Sequence, residues 1–455
     1  MAGAWAQGNM PVMKPIRPRL PRVRKRHRAS LFSLRLWMRR LVFWGGAVGV
    51  GLAATGFALA NDLAHEIFNH LLAISPWLPL LVTPLTLAAV AAVTQRFFRG
   101  AAGSGIPQTI AALRMSDGPA RDAVLSLRVT AAKMVLTCVS VAGGASVGRE
   151  GPTVQVGAAL LYNLRRLVRF PSHLMERGLI VAGGGAGVAA AFNTPLAGVV
   201  FAIEEMARSF ETRTSGTLLT AVIIAGLAAI YVQGDYVYFG STPAAPHGIS
   251  DWTGVLLCGL AGGVLGGGFS RAVIAFTTHG LPGRLGVFLR ARPVGFAALC
   301  GFALALLGIA SGGAVYGSGY QEARSLLEGT AEVSSAYGVW KILATLVSFV
   351  SGIPGGLFAP SLSAGAGIGH AVAGLLSTVD AGALIVIGMA AYFAGVVQAP
   401  ITAFVIVMEM TDNHDMVVPL MLATLLATAV SRLLCPRPLY KALADIYLAK
   451  VRAAA

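Results

Sequence analysis

Two full charges stand inside strongly apolar sequence at Gly148-Arg149-Glu150-Gly151-Pro152. Glycine lets backbone approach a ligand closely or take a positive φ, and proline at the first position of a helix loses nothing through its missing N–H. The pentapeptide is therefore expected to form a loop feeding a helix N-terminus, with Glu150 at its mouth. The free N–H groups and positive dipole end there make an anion site, which Glu150 would share with a mobile anion. The plainer alternative is a capped helix start with a snorkelling Arg149-Glu150 pair; ionisable residues at membrane depth favour the functional reading. A second pair of acids, Glu204-Glu205, closes the apolar run Phe201-Ala202-Ile203. Like charges disfavour double ionisation, so one of the two is suited to hold a proton, although a solvated helix end at the cytoplasmic surface would also carry them.

These groups have to be held by a scaffold with little else that is polar. Only 12% of the 455 residues are charged and 56% are hydrophobic, with a mean hydropathy of +0.72, where soluble domains carry about 25% charged residues. The expected class is an all-α polytopic membrane protein. Apolar stretches at 41–60, 77–95, 129–147, 179–203, 216–233, 253–277, 294–311, 338–352, 383–408 and 416–434 approach or reach the ~20 residues needed to span a bilayer. Their many glycines point to closely packed, tilted or broken helices. Residues 1–40 hold eleven Lys/Arg and no acid, leaving +5 of the net +16 for the rest of the chain. Such an arm places the N-terminus in the cytoplasm and suits anionic lipid rather than nucleic acid as a partner. No cleavable signal peptide precedes the first apolar stretch. Cys138, Cys258, Cys300 and Cys435 stand singly in apolar surroundings, without metal or disulfide spacing.

The chain repeats itself. Gly103-Ser104-Gly105-Ile106-Pro107-Gln108 is echoed by Gly317-Ser318-Gly319-Tyr320-Gln321 at an offset of 214, and Gly148–Pro152 falls on Gly356-Leu357-Phe358-Ala359-Pro360 at 208. Asn193-Thr194-Pro195 and the run to Glu204 match Gln398-Ala399-Pro400 and the run to Glu409 at 205. The expected organisation is a basic arm at 1–40, a first transmembrane repeat at 41–235, a linker at 236–251, a second repeat at 252–440 and a short tail at 441–455. Duplicated halves with Gly/Pro-interrupted segments at matching places point to a transporter whose site lies between the repeats; the basic residues of the second half do not decide cleanly between parallel and inverted halves, and inverted ones are the expectation. The alignment also separates the two acids: Glu204 has a counterpart in Glu409 and belongs to the scaffold, while Glu205 is an addition.

Four stretches, Gly103-Ser104-Gly105-Ile106-Pro107, Gly148-Arg149-Glu150-Gly151-Pro152, Gly355-Gly356-Leu357-Phe358-Ala359-Pro360 and Arg437-Pro438-Leu439-Tyr440, together resemble the signature of the CLC family of chloride channels and proton-coupled chloride exchangers. The similarity runs from about residue 40 to 445. It implies that Ser104 and Tyr440 offer hydroxyls, and Leu357 and Phe358 backbone N–H groups, to a dehydrated chloride. It makes Glu150 the gating glutamate and Glu205 the internal proton relay, an acid that channel members of the family usually lack. Gly103, Gly105, Pro107, Gly148, Arg149, Gly151, Pro152 and Gly356 would be the supporting loops. Neutral donors suit the task, since they hold an anion firmly enough to strip water yet weakly enough to release it. The resemblance further implies a homodimer, with chloride and protons as transported ions and no cofactor. Serine rather than proline at position 104 resembles chloride-preferring members, and the match at Gly148–Pro152 weighs against the fluoride-exporting branch. The fifteen residues after Tyr440 leave no room for the regulatory modules of eukaryotic relatives, which favours a prokaryotic inner-membrane protein. A passive chloride channel of the same fold is the near alternative.

An enzyme is the distant one. Gly144-Ala145-Ser146-Val147-Gly148 fits the nucleophile pattern of hydrolases, but that pattern needs a strand-turn-helix context and a histidine partner, and none of the eight histidines stands in a recognisable triad or metal motif. Glycine runs at 183–187 and 262–268 read as helix-packing surfaces. Lys133, alone in an apolar run, has no acid nearby in sequence.

Overall fold

The computed structural model describes residues 34–455, apart from short segments at 116–117, 169–172, 208–211, 243, 245–248, 281–282, 284–285, 287–288, 290, 331–332, 377–379 and residue 455. Most of the basic arm therefore lies outside the described residues. The chain divides into units at 1–41 and 42–455. In the first, the described residues open a helix, with Arg40 lying 5.2 Å over the Trp37 ring.

Helices follow one another with no strand among the described residues. The first half runs α1 (Leu34–Ile74), α2 (Pro79–Phe97), α3 (Ile106–Arg114), α4 (Pro119–Val124), α5 (Leu127–Ala142), α6 (Glu150–Asn163), α7 (His173–Phe192), α8 (Pro195–Phe201) and α9 (Thr212–Gln233). The second runs α10 (Ile249–His279), α11 (Pro293–Ala310), α12 (Tyr320–Leu327), α13 (Tyr337–Val350), α14 (Phe358–Leu375), α15 (Ala381–Val397), α16 (Pro400–Thr411), α17 (Val417–Leu434) and α18 (Leu439–Ala454). Seven helices among the described residues are long and apolar enough to cross a membrane. The helices around the centre are shorter. At about 1.5 Å per residue, the 14 residues of α6 fall well short of the ~30 Å hydrocarbon core.

Three of the expected spans are broken. The run 129–147 ends its helix at Ala142, where Gly144 takes a φ of +86°. The runs 179–203 and 383–408 each split in two, because Asn193 (φ +56°) and Gln398 (φ +60°) are left-handed. The prolines at 195 and 400 also push the residue before them out of the helical region, and Thr194 and Ala399 are accordingly extended. Average hydropathy is blind to both causes.

The two halves repeat each other's contacts. The carboxylate of Glu409, near the end of α16, accepts from the N–H groups of Leu196 (3.0 Å) and Ala197 (2.6 Å) at the start of α8. Glu204, just past α8, accepts from Ile401 (3.2 Å) and Thr402 (2.6 Å) at the start of α16. Each helix end caps the other's beginning, so these equivalent helices run in opposite directions and the halves are inverted with respect to one another. Glu204 is thus the scaffold residue that the alignment implied. The glycine runs do pack helices: Gly157 and Gly183 bring α6 and α7 together, as Gly365 and Gly388 bring α14 and α15, and Gly262 and Gly266 seat α10 on α15.

Candidate functional site

Two short backbone ladders tie three loops together. Gly103 pairs with the Ile353–Gly355 stretch, and Gly148 exchanges hydrogen bonds with Gly356 at 2.9 and 2.7 Å. The starts of α3, α6 and α14 consequently meet at one place. Gly105 is required there twice over, for its φ of +105° and because a Cβ would lie 2.7 Å from the Gly151 carbonyl oxygen. A Cβ on Gly356 would lie 2.9 Å from the Gly151 nitrogen and 3.0 Å from the Gly148 oxygen.

Ser104 is buried, and its hydroxyl has no hydrogen-bond partner. It does not cap α3. That work falls to Gln108, whose Oε1 accepts from Gly105 N (2.9 Å) while its Nε2 donates to Ala102 O (2.5 Å). Tyr440 is no interfacial anchor either, being completely buried at the start of α18. Its phenol lies beside Ser104 without forming a hydrogen bond of ordinary geometry, and its ring stacks on Phe358 with centroids 6.2 Å apart. Leu357 and Phe358 open α14, so their N–H groups are among the first-turn donors with no partner inside the helix. Two unspent hydroxyls and a helix start therefore face one another in the buried centre, a donor set with no cation in it.

Glu150 is the first residue of α6, which places Pro152 at the third helical position rather than the expected first. Its carboxylate is 1% exposed and points toward the N–H groups of Glu150 and Ala359, yet neither oxygen completes a hydrogen bond. Arg149 does not pair with it. The guanidinium turns to α1, donating to Asp62 Oδ1 (2.7 Å) and Ala58 O (2.9 Å). Glu205 is buried in a wide i→i+5 turn, Ala202–Ala207, and both it and Glu150 act electrostatically on the Tyr440 phenol.

Two cavities reach this centre. One, of about 410 Å³, ends on Gly103, Ser104 and Pro107; the other, of about 510 Å³, ends on Arg149 and Glu150 and is also lined by Ser318. Ser104 and Ser318 occupy equivalent positions of inverted halves, so the cavities open on opposite faces. Lys133 finds its partner in a backbone carbonyl, Gly103 O at 2.9 Å, as Lys341 binds Val315 O (2.9 Å) and Gly317 O (3.0 Å) in the other half. Ser146, the serine of the hydrolase-like pattern, shares its hydroxyl with Thr345 (3.2 Å) rather than with a histidine. The cavity at Glu150 also contains residues to which sequence reasoning gave no role: Asp62, His65, Tyr236, Tyr238 and Tyr320. The tyrosines clustered just after α9 were the available signal.

Inverted halves of broken helices with helix starts converging between them define a multi-pass integral membrane protein. A profile described as the voltage gated chloride channel family matches residues 85–432. The chain is similar to H(+)/Cl(-) exchange transporters ClcA, at 33% identity over 430 residues for Vibrio cholerae serotype O1 (89% of this chain, 88% of the relative). For Yersinia pestis bv. Antiqua the identity is 32% over 436 residues (90% and 88%). The crystal structure of a slow cyanobacterial Cl-/H+ antiporter superposes with a TM-score of 0.76 at 25% identity, covering 90% of this chain and 98% of that one. That of a CLC-type fluoride/proton antiporter gives 0.74 at 22%, covering 88% and 97%, a likeness of fold. The chain belongs to the voltage-gated chloride channel (CLC) family.

Proposed function

We propose that the protein is a proton-coupled chloride antiporter, with the pathway between its two halves. The observation that carries the reading is Glu150, a buried carboxylate without a hydrogen bond, standing where a cavity from one face meets the hydroxyl site reached from the other. A charged group left unsatisfied in a dry interior is costly, so it is suited to change place or protonation state. In this reading chloride is held by the Ser104 and Tyr440 hydroxyls and by the N–H groups of Leu357 and Phe358. Charged Glu150 competes with chloride for the outer helix-terminus position and, once protonated, leaves it. Glu205 hands protons to Glu150 from the cytoplasmic side, past Tyr440. The two ion gradients drive the cycle and no cofactor is invoked.

The ClcA relatives bear the name of H(+)/Cl(-) exchangers, and the acid at position 205 favours exchange over a passive channel. Reconstitution in liposomes tests this: an imposed chloride gradient should drive protons uphill. Chloride flux that moves no protons would falsify the exchanger reading and leave the channel.

The same reading puts the basic arm at 1–40 in the cytoplasm of a prokaryotic inner membrane, ahead of repeats at 41–235 and 252–440. It also makes the protein a homodimer with one pathway per subunit. The dimer face proposed is the one where the mutually capped α8 and α16 present Leu196 and Ile401 and the flanking α9 and α17 present Leu227 and Leu425, all exposed. Buried against a second copy, that face would be removed from lipid by close packing.

A further inference from the structure

Tyr238 sits in the connection after α9 and is nearly buried, yet it lines the outer cavity together with Arg149 and Glu150. Its ring is fixed edge-on against Phe192 (5.3 Å), Tyr320 (4.8 Å) and Phe239 (4.9 Å). Phe192 in turn stacks on Phe358 at 6.1 Å, and Phe358 on Tyr440 at 6.2 Å. A continuous aromatic stack therefore joins Tyr238, on the outer side of Glu150, to Tyr440 on its inner side. The connection itself is pinned, because Phe239 N donates to Met410 O (2.9 Å) and Asn193 Nδ2 to Tyr236 O (2.9 Å). The Tyr238 hydroxyl makes no hydrogen bond among the described residues, although its phenol is close enough to Arg149 and Glu150 to feel both charges.

We infer that Tyr238 is the outer positioning residue for Glu150, its phenol donating to the carboxylate once the glutamate has swung into the outer cavity and released its proton there. The inference rests on the exchanger reading. A rigidly held phenol suits the role. Burial drives the Tyr238 phenol well above its ordinary value, so it keeps its proton and can only donate to a carboxylate. The titratable and charged groups of the cavity that Tyr238 lines are Arg149 and Glu150, Asp62, His65 and Glu66 on α1, Tyr236 on its own segment and Tyr320 on α12. Arg149 is already committed to Asp62 and to Ala58 O, which leaves the phenol as an uncommitted donor beside the carboxylate.

The test is Tyr238→Phe, which keeps the ring and its stacking and removes only the hydroxyl, in the full chain reconstituted in liposomes with chloride and proton fluxes followed against pH. Losing one donor to a charged carboxylate should move the midpoint of the pH activation of chloride flux upward by roughly half a unit to one unit. The same change made on Glu150→Gln should move no midpoint, because no titrating group is left to feel it. Persisting flux at low pH, where Glu150 is neutral, reports that the variant is folded. A Tyr238→Phe profile superimposable on the unsubstituted one overturns the inference, and so does an equal shift in the Glu150→Gln background. Should the unsubstituted protein move chloride without protons, the exchanger reading fails and this inference falls with it, an outcome distinguishable because it needs no Tyr238 variant.

Discussion

Adjacent acids with opposite fates give the sharpest test of the site. Glu204 accepts three hydrogen bonds at the start of α16, from Ile401 N, Thr402 N and Thr402 Oγ1 at 3.2, 2.6 and 2.7 Å. Removing it strips two first-turn N–H groups and a hydroxyl of their acceptor. Loss of a capping side chain costs about 1 kcal/mol, within a range of about 0.5–2, and loss of a negative charge at a helix N-terminus adds about 0.3–1 kcal/mol. Glu204 is only half-buried, so the charge contributes at the low end, and Glu204→Ala should cost about 1–2 kcal/mol. Glu409→Ala, which frees Leu196 N and Ala197 N of α8, should cost about the same. Because α8 and α16 hold each other, the double variant should depart from additivity, as contacting residues do. Glu205→Gln, with its side chain turned to the interior near Tyr440, should leave the unfolding midpoint in detergent close to that of the unsubstituted protein and selectively abolish proton movement in liposomes. The measurements are thermal or denaturant unfolding followed by intrinsic fluorescence, and the proton-to-chloride ratio. If Glu204→Ala uncouples protons at unchanged stability while Glu205→Gln only lowers the unfolding midpoint, the roles assigned to the two acids are wrong.

Glu150→Ala should keep chloride flux but remove its rise with falling pH and its coupling to protons, as read by a chloride electrode and a pH indicator; flux that stays coupled would clear Glu150 of the gating role. For Gly356→Ala the added Cβ meets the backbone of the 148–151 loop at 2.9 and 3.0 Å, atoms that cannot swing aside as a flexible side chain would. Overpacking of this kind costs about 1–3 kcal/mol, and chloride binding measured by calorimetry should weaken with it; binding at full strength would mean the loops do not need their spacing. Lys133→Met deletes the ammonium that holds Gly103 O. It should also weaken chloride binding, by about tenfold if one charge-assisted hydrogen bond of ~1.5 kcal/mol positions the Ser104 loop, whereas unaltered affinity would show that the loop holds its own shape.

What could be read from the chain alone was whatever the backbone demands locally or the duplication repeats. The glycine and proline frames at 103–107, 148–152 and 356–360 announce loops that start helices, and the constant offsets put those loops in correspondence. The pairing of Arg149 with Asp62 was out of reach, because it spans 87 residues and exists only once α1 has docked. Lys133 satisfies itself on a carbonyl, and such a contact leaves no side-chain pattern to find. Tyr238 lay hidden in a segment that reads as a polar connection.

Duplication also explains where function sits. The halves agree wherever the fold needs them to: Glu204 with Glu409 as reciprocal caps, Lys133 with Lys341 under the glycine loops, Asn193 with Gln398 at the breaks. They disagree at a few positions inside the shared frames. Glu150 stands where the second half has Phe358, and Glu205 where it has Met410. Ser104 and Ser318 are the same residue, but Ser104 lies beside Tyr440, whereas Ser318 lines the cavity at Glu150. A two-fold scaffold alone would build the same helix-terminus site twice, facing opposite ways, and would distinguish neither direction nor ion. The two unmatched carboxylates break that symmetry, Glu150 at the cavity it lines with Arg149 and Ser318, and Glu205 buried near Tyr440. Linking two different ions in one cycle requires an asymmetry of this kind, and the scaffold's own caps and lysines, being matched, cannot provide it.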